Sequence, residues 1–277
     1  MRIVSWNVAK RRNCDGQVAA LLALKPDVVV LQEVMERTWP SLRAGLDRAG
    51  LNYAASGREL AAIADPSRQL ACFVAIVSRW ALLPGCPAAV PDPGAVACVR
   101  IDPPGEAFEV VGAHIPTVGR PDRWIKVETQ EGLVARLKEA TLPAIVCGDF
   151  NSPRGEAADG EIVPFATARG GRALAAERAL VGRTNGAGMV DVFRAIHGYE
   201  RDAASWYWKN RGRTGGFRLD HIFASKEVRV SRCDYDHACR DTGLSDHSAI
   251  YADFELECAN SGMPDSTTAS AFSSEAP

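Results

Sequence analysis

In Ala144-Ile145-Val146-Cys147-Gly148-Asp149-Phe150-Asn151-Ser152, an apolar run leads into an acid and an amide two positions apart. The run reads as a buried strand, and Gly148 permits a close or unusual backbone path. Alternate residues of an extended chain point the same way, so Asp149 and Asn151 leave the strand on one side. A carboxylate and a carboxamide so placed suit a divalent cation, a phosphate or an attacking water. An Asx-rich turn after a strand has the same appearance, so the reading depends on partners elsewhere in the chain.

Such positions recur. Asn7, Glu33, His114, Asp149, Asn151, Asp220, Asp246 and His247 all lie at or beside the ends of apolar segments. Each alone has a structural explanation, such as a helix cap or a satisfied histidine. Together they matter more, because strand ends at one edge of a sheet converge in space. Oxygen donors without cysteine favour Mg²⁺, Mn²⁺ or Ca²⁺ over zinc, and histidines beside carboxylates supply proton transfer near neutral pH. The chain has neither a Gly-x-x-x-x-Gly-Lys loop nor a Gly-x-Ser-x-Gly elbow, which disfavours P-loop and α/β-hydrolase chemistry. Water attack on a phosphate ester fits these residue types best.

The elements that must position them follow from pattern. Strands are expected at 2–6, 27–31, 72–78, 95–101, 106–114, 143–147, 205–208, 217–224, 228–233 and 248–254, with a polar loop at 209–216. Helices are expected at 13–24, capped by Asn13 or Asp15, at 36–49 with Pro40 in the first turn, at 123–138, near 172–180, and as a short turn at 191–196. Strands mixed with helices, several strands being adjacent, imply a mixed α/β sandwich rather than a purely parallel sheet. From about Ala259 the Ser/Thr/Ala/Pro-rich tail has little to bury and is expected to be disordered over 259–277.

Composition narrows the class. At 277 residues, 47% of them hydrophobic, the chain can bury a large core, and a net charge of −2 rules out a global basic field. That argues against a passive nucleic-acid binder more than against a nuclease, which needs only local positive charge. The N-terminus lacks a signal-peptide core and no apolar run is long enough to span a membrane, so the cytoplasm is the expected location. The eight cysteines, none in a Cys-x-x-Cys pair, read as small buried hydrophobes. Cys233, His237 and Cys239 cluster loosely but match no standard zinc spacing.

The sequence resembles the endonuclease/exonuclease/phosphatase superfamily through Ser5-Trp6-Asn7-Val8, Leu31-Gln32-Glu33, Ala113-His114-Ile115-Pro116, Gly148-Asp149-Phe150-Asn151, Arg218-Leu219-Asp220-His221-Ile222-Phe223 and Ser245-Asp246-His247. Each motif is short; their order together is specific. The resemblance covers about residues 1–255 and implies one catalytic domain over 1–256. It implies a four-layer α/β/β/α sandwich of two packed mixed β-sheets flanked by helices, and Mg²⁺-dependent phosphoester hydrolysis, with Mn²⁺ a possible substitute. Carried over, Glu33 is the main metal ligand, with Asn7 and Asp246 nearby. Asp149 orients or deprotonates the water, Asn151 binds phosphate, and His247 contacts phosphate or moves a proton, its tautomer held by Asp220. His114 assists the leaving oxygen. Two departures stand out: Ala9-Lys10 replaces the acid or amide plus glycine usual in abasic-site nucleases, and His114 stands where they carry tyrosine.

Three basic groups flank these motifs: Lys10-Arg11-Arg12, then Arg120, Arg123 and Lys126, then Lys209, Arg211, Arg213 and Arg218. With Trp124, Trp206 and Trp208 available for stacking, they favour an extended polyanion, DNA or RNA, as substrate. Arg120, Arg123, Trp206 and Arg218 are the expected substrate contacts. A phosphatase or phosphodiesterase acting on a small phosphorylated metabolite, nucleotide or lipid headgroup is the alternative, and a non-catalytic binding protein on the same fold is a third reading. No protein partner is implied.

Overall fold

The computed structural model describes residues 1–62, 72–117, 124–165 and 171–255. Arg120, Arg123 and the tail at 259–277 therefore lie outside the described residues. The first sheet is built from β1 (Arg2–Asn7), β2 (Val28–Val34), β3 (Tyr53–Ser56), β4 (Phe73–Ser78), β15 (Arg229–Asp236) and β16 (Ala249–Glu255), in the order β15-β16-β1-β2-β4-β3. The second is built from β5 (Leu82–Pro84), β6 (Val96–Ile101), β7 (Phe108–His114), β8 (Ala144–Asp149), β11 (Val190–Asp191) and β14 (Asp220–Ala224), in the order β11-β14-β8-β7-β6-β5. Both are mixed: β1 and β2 are parallel, as are β7 and β8, while the other pairs are antiparallel.

The continuous apolar runs follow from burial of both sheet faces. Val28 and Val30 of β2 turn inward, against Val110, Ile145 and Ile222 of the other sheet. Val29 and Leu31 turn outward beneath α1 (Cys14–Ala23) and α2 (Trp39–Asp47), meeting Leu21, Leu42 and Leu46. In the second sheet Val111 and Val146 turn outward beneath α4 (Ile125–Lys138) and α5 (Gly171–Val181), meeting Leu133, Leu137 and Leu180. Four layers result. The sheets approach closely at Gly112, where a Cβ would come within 2.7 Å of Val30 and 2.8 Å of Val74.

Helix α1 is capped by Asn13, whose Oδ1 accepts from the Gly16 amide at 3.0 Å. Among the described residues no helix is long and apolar enough to cross a membrane. The stretch expected as a loop at 209–216 is instead mostly a hairpin, β12 (Trp206–Asn210) paired with β13 (Arg213–Phe217). Arg211 and Gly212 at its tip both have positive φ, 47° and 78°, the backbone of a type I′ turn. Polarity concealed it, because the strands project largely into solvent. The short strands β3 and β5, the two-residue strands β9 (Gly155–Glu156) and β10 (Ile162–Val163), and the short helix α3 (Gly57–Leu60) also went unread, being too brief to show a period.

The loose zinc cluster is not assembled. Cys233 belongs to the core between the sheets, Cys239 to the layer under α1, and His237 Nδ1 lies 2.9 Å from Ser248 Oγ. Of the described cysteines only Cys86 is exposed; the others are buried thiols.

Candidate active site

Strand register builds one row of polar groups. His114 on β7 is paired with Asp149 on β8, and Asp149 with Asp220 on β14, so the three stand side by side at one edge of the second sheet. Asn7 ends β1 in the first sheet, following Ile3 on the inward-facing parity. Both sheets therefore present polar residues into the same end of the space between them.

The contacts are specific. Asn7 Nδ2 donates to Asp149 Oδ2 at 2.9 Å, and the Asn151 amide donates to Asp149 Oδ1 at 2.9 Å. Asn151 has φ of 47°, its Nδ2 donates to the Ile115 carbonyl at 2.9 Å, and its own carbonyl accepts from Lys126 Nζ at 2.6 Å. His247 Nδ1 lies 2.8 Å from Asp220 Oδ2, while its Nε2 faces Asp149 Oδ2 at 3.8 Å. His114 Nε2 lies 3.9 Å from Asp149 Oδ2 and 3.6 Å from Glu33 Oε1.

Glu33 arrives by a different route. Parity alone would aim it outward with Val29 and Leu31, but the β2–β4 register shifts between Leu31 and Val34 and Glu33 adopts φ of 55°. That bulge turns its carboxylate into the cleft. Gly148 has φ of 151°, and a Cβ there would lie 1.8 Å from the Ala113 carbonyl oxygen. Glycine is what lets β8 run so close to β7 immediately before Asp149.

Several supporting residues were missed by sequence reasoning. Ser245 Oγ donates to the Asn7 carbonyl at 2.6 Å and accepts from the His247 amide at 3.0 Å. Ser205 Oγ accepts from the amides of Leu219 and Asp220 at 3.0 and 3.1 Å, and Tyr235 donates to the Asp220 carbonyl at 2.6 Å. Small polar residues beside strands look the same in sequence whether they face solvent or bind a buried backbone.

Electrostatics separates the two central groups. Burial works to lower the His247 pKa, but the charges of Asp220 and Asp149, the hydrogen bond to Asp220 and the charge of Asp246 outweigh it and push the imidazole up to about 10. Burial raises the Asp149 pKa, and so does the Asp220 charge; His247, His114 and the Asn151 amide pull the other way. These charges favour the imidazolium form of His247, with Nδ1 on Asp220 and Nε2 turned toward Asp149.

A cleft of about 380 Å³ opens over this row, lined by Glu33, Thr117, Asp149, Asn151, Asp246 and His247 on the polar side. Its apolar wall is Phe165, Trp206, Phe217 and Leu219, with Trp206 Nε1 donating to Asp246 Oδ2 at 3.2 Å. Phe217 and Leu219 share a face by their spacing, a signal that was available in the sequence. Trp206 thus lies at the cleft, whereas Trp124 is covered by the Arg172 guanidinium at 5.2 Å.

Arg218 is the one expected substrate contact that the structure corrects. Only 4% exposed, its guanidinium donates to Glu156 at 2.7 and 2.8 Å and to Asp191 at 2.6 Å, on the side opposite its neighbours Phe217 and Leu219. It holds the chain leading into Asp220 and is not presented to a ligand.

Oxygen-rich and cysteine-free, the cleft fits a hard divalent cation. Asp149, Asp220 and His247 bring ligand atoms within 4.8 Å of one another, the one such group of histidines, cysteines and acids among the described residues. Its Asp220–His247 pair is already joined by a hydrogen bond, however, whereas Glu33 and Asp246 offer carboxylates to the cleft itself.

Comparison with known proteins agrees with this geometry. Residues 4–247 match the sequence profile described as the Endonuclease/Exonuclease/phosphatase family. No curated protein sequence matches the chain. Similar solved structures include an AP endonuclease from Archaeoglobus fulgidus, with TM-score 0.68 and 21% identity over 92% of this chain and 100% of that one. A 3′ phosphatase from Neisseria, bound to a product DNA hairpin, has TM-score 0.68 and 22% identity over 92% and 99%. TDP2 of D. rerio, complexed with a single-strand DNA product, has TM-score 0.66 and 20% identity over 92% and 98%.

Proposed function

The chain belongs to the endonuclease/exonuclease/phosphatase family, and we propose that it is a Mg²⁺-dependent phosphoester hydrolase cleaving DNA or RNA phosphodiesters by water attack on phosphorus. The observation that carries this reading is the His247–Asp220 pair set against Asp149 under an open cleft. An imidazolium cannot accept the water's proton, which leaves Asp149 as the group that orients and deprotonates it. His247 then donates from Nε2 to a phosphoryl oxygen as negative charge grows there, and Asp220 fixes its tautomer through Nδ1. Asn151 binds the phosphate, and His114 stabilises or protonates the leaving oxygen.

Glu33, Asp246 and Asn7 would hold the divalent ion, Mg²⁺ with Mn²⁺ as substitute. When bound, the ion polarises the phosphoryl group and offsets its developing charge.

Nucleic acid is supported over a small phosphoester by the wall of Trp206, Phe217 and Phe165, which offers an apolar aromatic surface to a base or sugar beside the acids. The exposed hairpin bearing Lys209, Arg211 and Arg213 adds local positive charge next to it. Two of the similar structures hold DNA products. Arg120 and Arg123 remain proposed backbone contacts.

The substrate class is tested by incubating the protein and Mg²⁺ with plasmid DNA, an abasic-site duplex, RNA and phosphoinositides. Cleavage of at least one nucleic acid is expected. Turnover of a small phosphoester alone overturns the nuclease assignment, and no metal-dependent turnover of any of them favours a binding protein.

A further inference from the structure

Lys10 is paired with Glu33, one of the carboxylates that line the cleft. Its Nζ lies 3.0 Å from Glu33 Oε2, with the lysine side chain 43% exposed and the glutamate 19%. The other carboxylate oxygen of Glu33 faces His114. Lys10 is held in place by an unusual turn. Ala9 and Lys10 have φ of 52° and 57°, and the Arg11 amide donates to the Val8 carbonyl at 3.0 Å, the pattern of a type I′ turn. Such turns ordinarily carry Asn-Gly, because side chains are strained in the left-handed region. Here the strain is sustained by further bonds: the Ala9 amide donates to Asn7 Oδ1 at 2.8 Å, and the Val8 amide to the Gln32 carbonyl at 3.0 Å.

We propose that Lys10 is a tethered cation that shares Glu33 with the divalent ion, lowering the site's affinity for that ion and supplying the positive charge a second ion would bring. Two-ion hydrolytic sites set their metals about 3.5–4 Å apart and need oxygen ligands for both. On this flank of Glu33, Ala9 offers no side-chain oxygen and Lys10 offers an ammonium. The strained turn keeps that ammonium on Glu33, whose carboxylate lines the cleft.

The inference rests on the proposed role of Glu33 as metal ligand, and calorimetric titration with Mn²⁺ separates the two. The unmodified protein is expected to bind one ion. Lys10→Met, which keeps the aliphatic stem, is expected to bind Mn²⁺ about five- to tenfold more tightly, an exposed ion pair plus ammonium–metal repulsion being of that size. Lys10→Arg should behave like the unmodified protein. Lys10→Gly, which also relieves the turn, should match Lys10→Met in affinity, so that charge rather than backbone strain is identified as the cause. Two bound ions in the unmodified protein, or unchanged affinity in Lys10→Met, overturns the inference. If Glu33→Gln binds Mn²⁺ as well as the unmodified protein does, the metal-ligand reading of Glu33 fails and this inference with it.

Discussion

Asp220 Oδ2 and His247 Nδ1 meet at 2.8 Å across the seam between the two sheets, Asp220 opening β14 in one and His247 preceding β16 in the other. The pair forms only where the sheets are docked, so the site is a product of the sandwich. Within the first sheet Trp6 of β1 fixes the segment leading into β16 by donating from Nε1 to the His247 carbonyl at 3.0 Å.

Replacing Asp220 by Asn keeps an acceptor for His247 but removes the charge that helps hold the imidazole protonated. The His247 pKa should then fall from its value of about 10, as read from the imidazole proton resonances. Turnover should fall by about 10²–10⁴, the usual cost of disabling a positioned proton-transfer group. An unchanged titration would show that Asp220 does not govern this histidine.

Arg218 is expected to matter for stability. Arg218→Met leaves Glu156 and Asp191 buried without their main counter-charge, and breaking a buried ion pair from one side typically costs about 3–5 kcal/mol. Urea unfolding measures the loss. A change below about 0.5 kcal/mol would mean that the network rearranges around the missing guanidinium.

The same network sets an acid limit. Burial works to raise the Glu156 pKa, but the hydrogen bond and charge of Arg218, with Arg194 and His221, bring it down to about 2 from an ordinary 4.5. A carboxyl depressed in the folded state stabilises the fold above its unfolded pKa and loses that contribution as pH falls through its folded one. The urea midpoint should therefore drop between about pH 4.5 and pH 2, and Arg218→Met should flatten the drop. Equal slopes in both proteins would assign acid sensitivity elsewhere.

Gly148→Ala tests the backbone path into Asp149. Its Cβ would meet the Ala113 carbonyl oxygen at 1.8 Å in a left-handed conformation, so two paired strands must part. A strongly lowered melting temperature or insoluble expression is expected; a melting temperature like that of the unmodified protein would contradict the close approach.

Much of this organisation was legible in the sequence, for physical reasons. Strands buried on both faces read as continuous apolar runs, as at Val28–Leu31 and Ala144–Cys147, and their polar ends marked the cleft. The direction of Glu33 was hidden, because a single left-handed residue reverses the parity that sequence reasoning relies on. Arg218 misled for the opposite reason: an arginine next to a catalytic motif reads as a surface cation, and its partners Glu156 and Asp191 lie 62 and 27 positions away. The hairpin at 206–217 was obscured by its polar tip.

The central claim is water attack at Asp149 assisted by His247, and it is tested most directly by hydrolysis of bis-p-nitrophenyl phosphate with Mg²⁺ or Mn²⁺, with and without chelator. The account predicts activity that the chelator abolishes and that Asp149→Asn and His247→Ala each reduce by about 10²–10⁴, while circular dichroism shows both variants folded. Near-normal turnover in both variants, or turnover indifferent to the chelator, would contradict it.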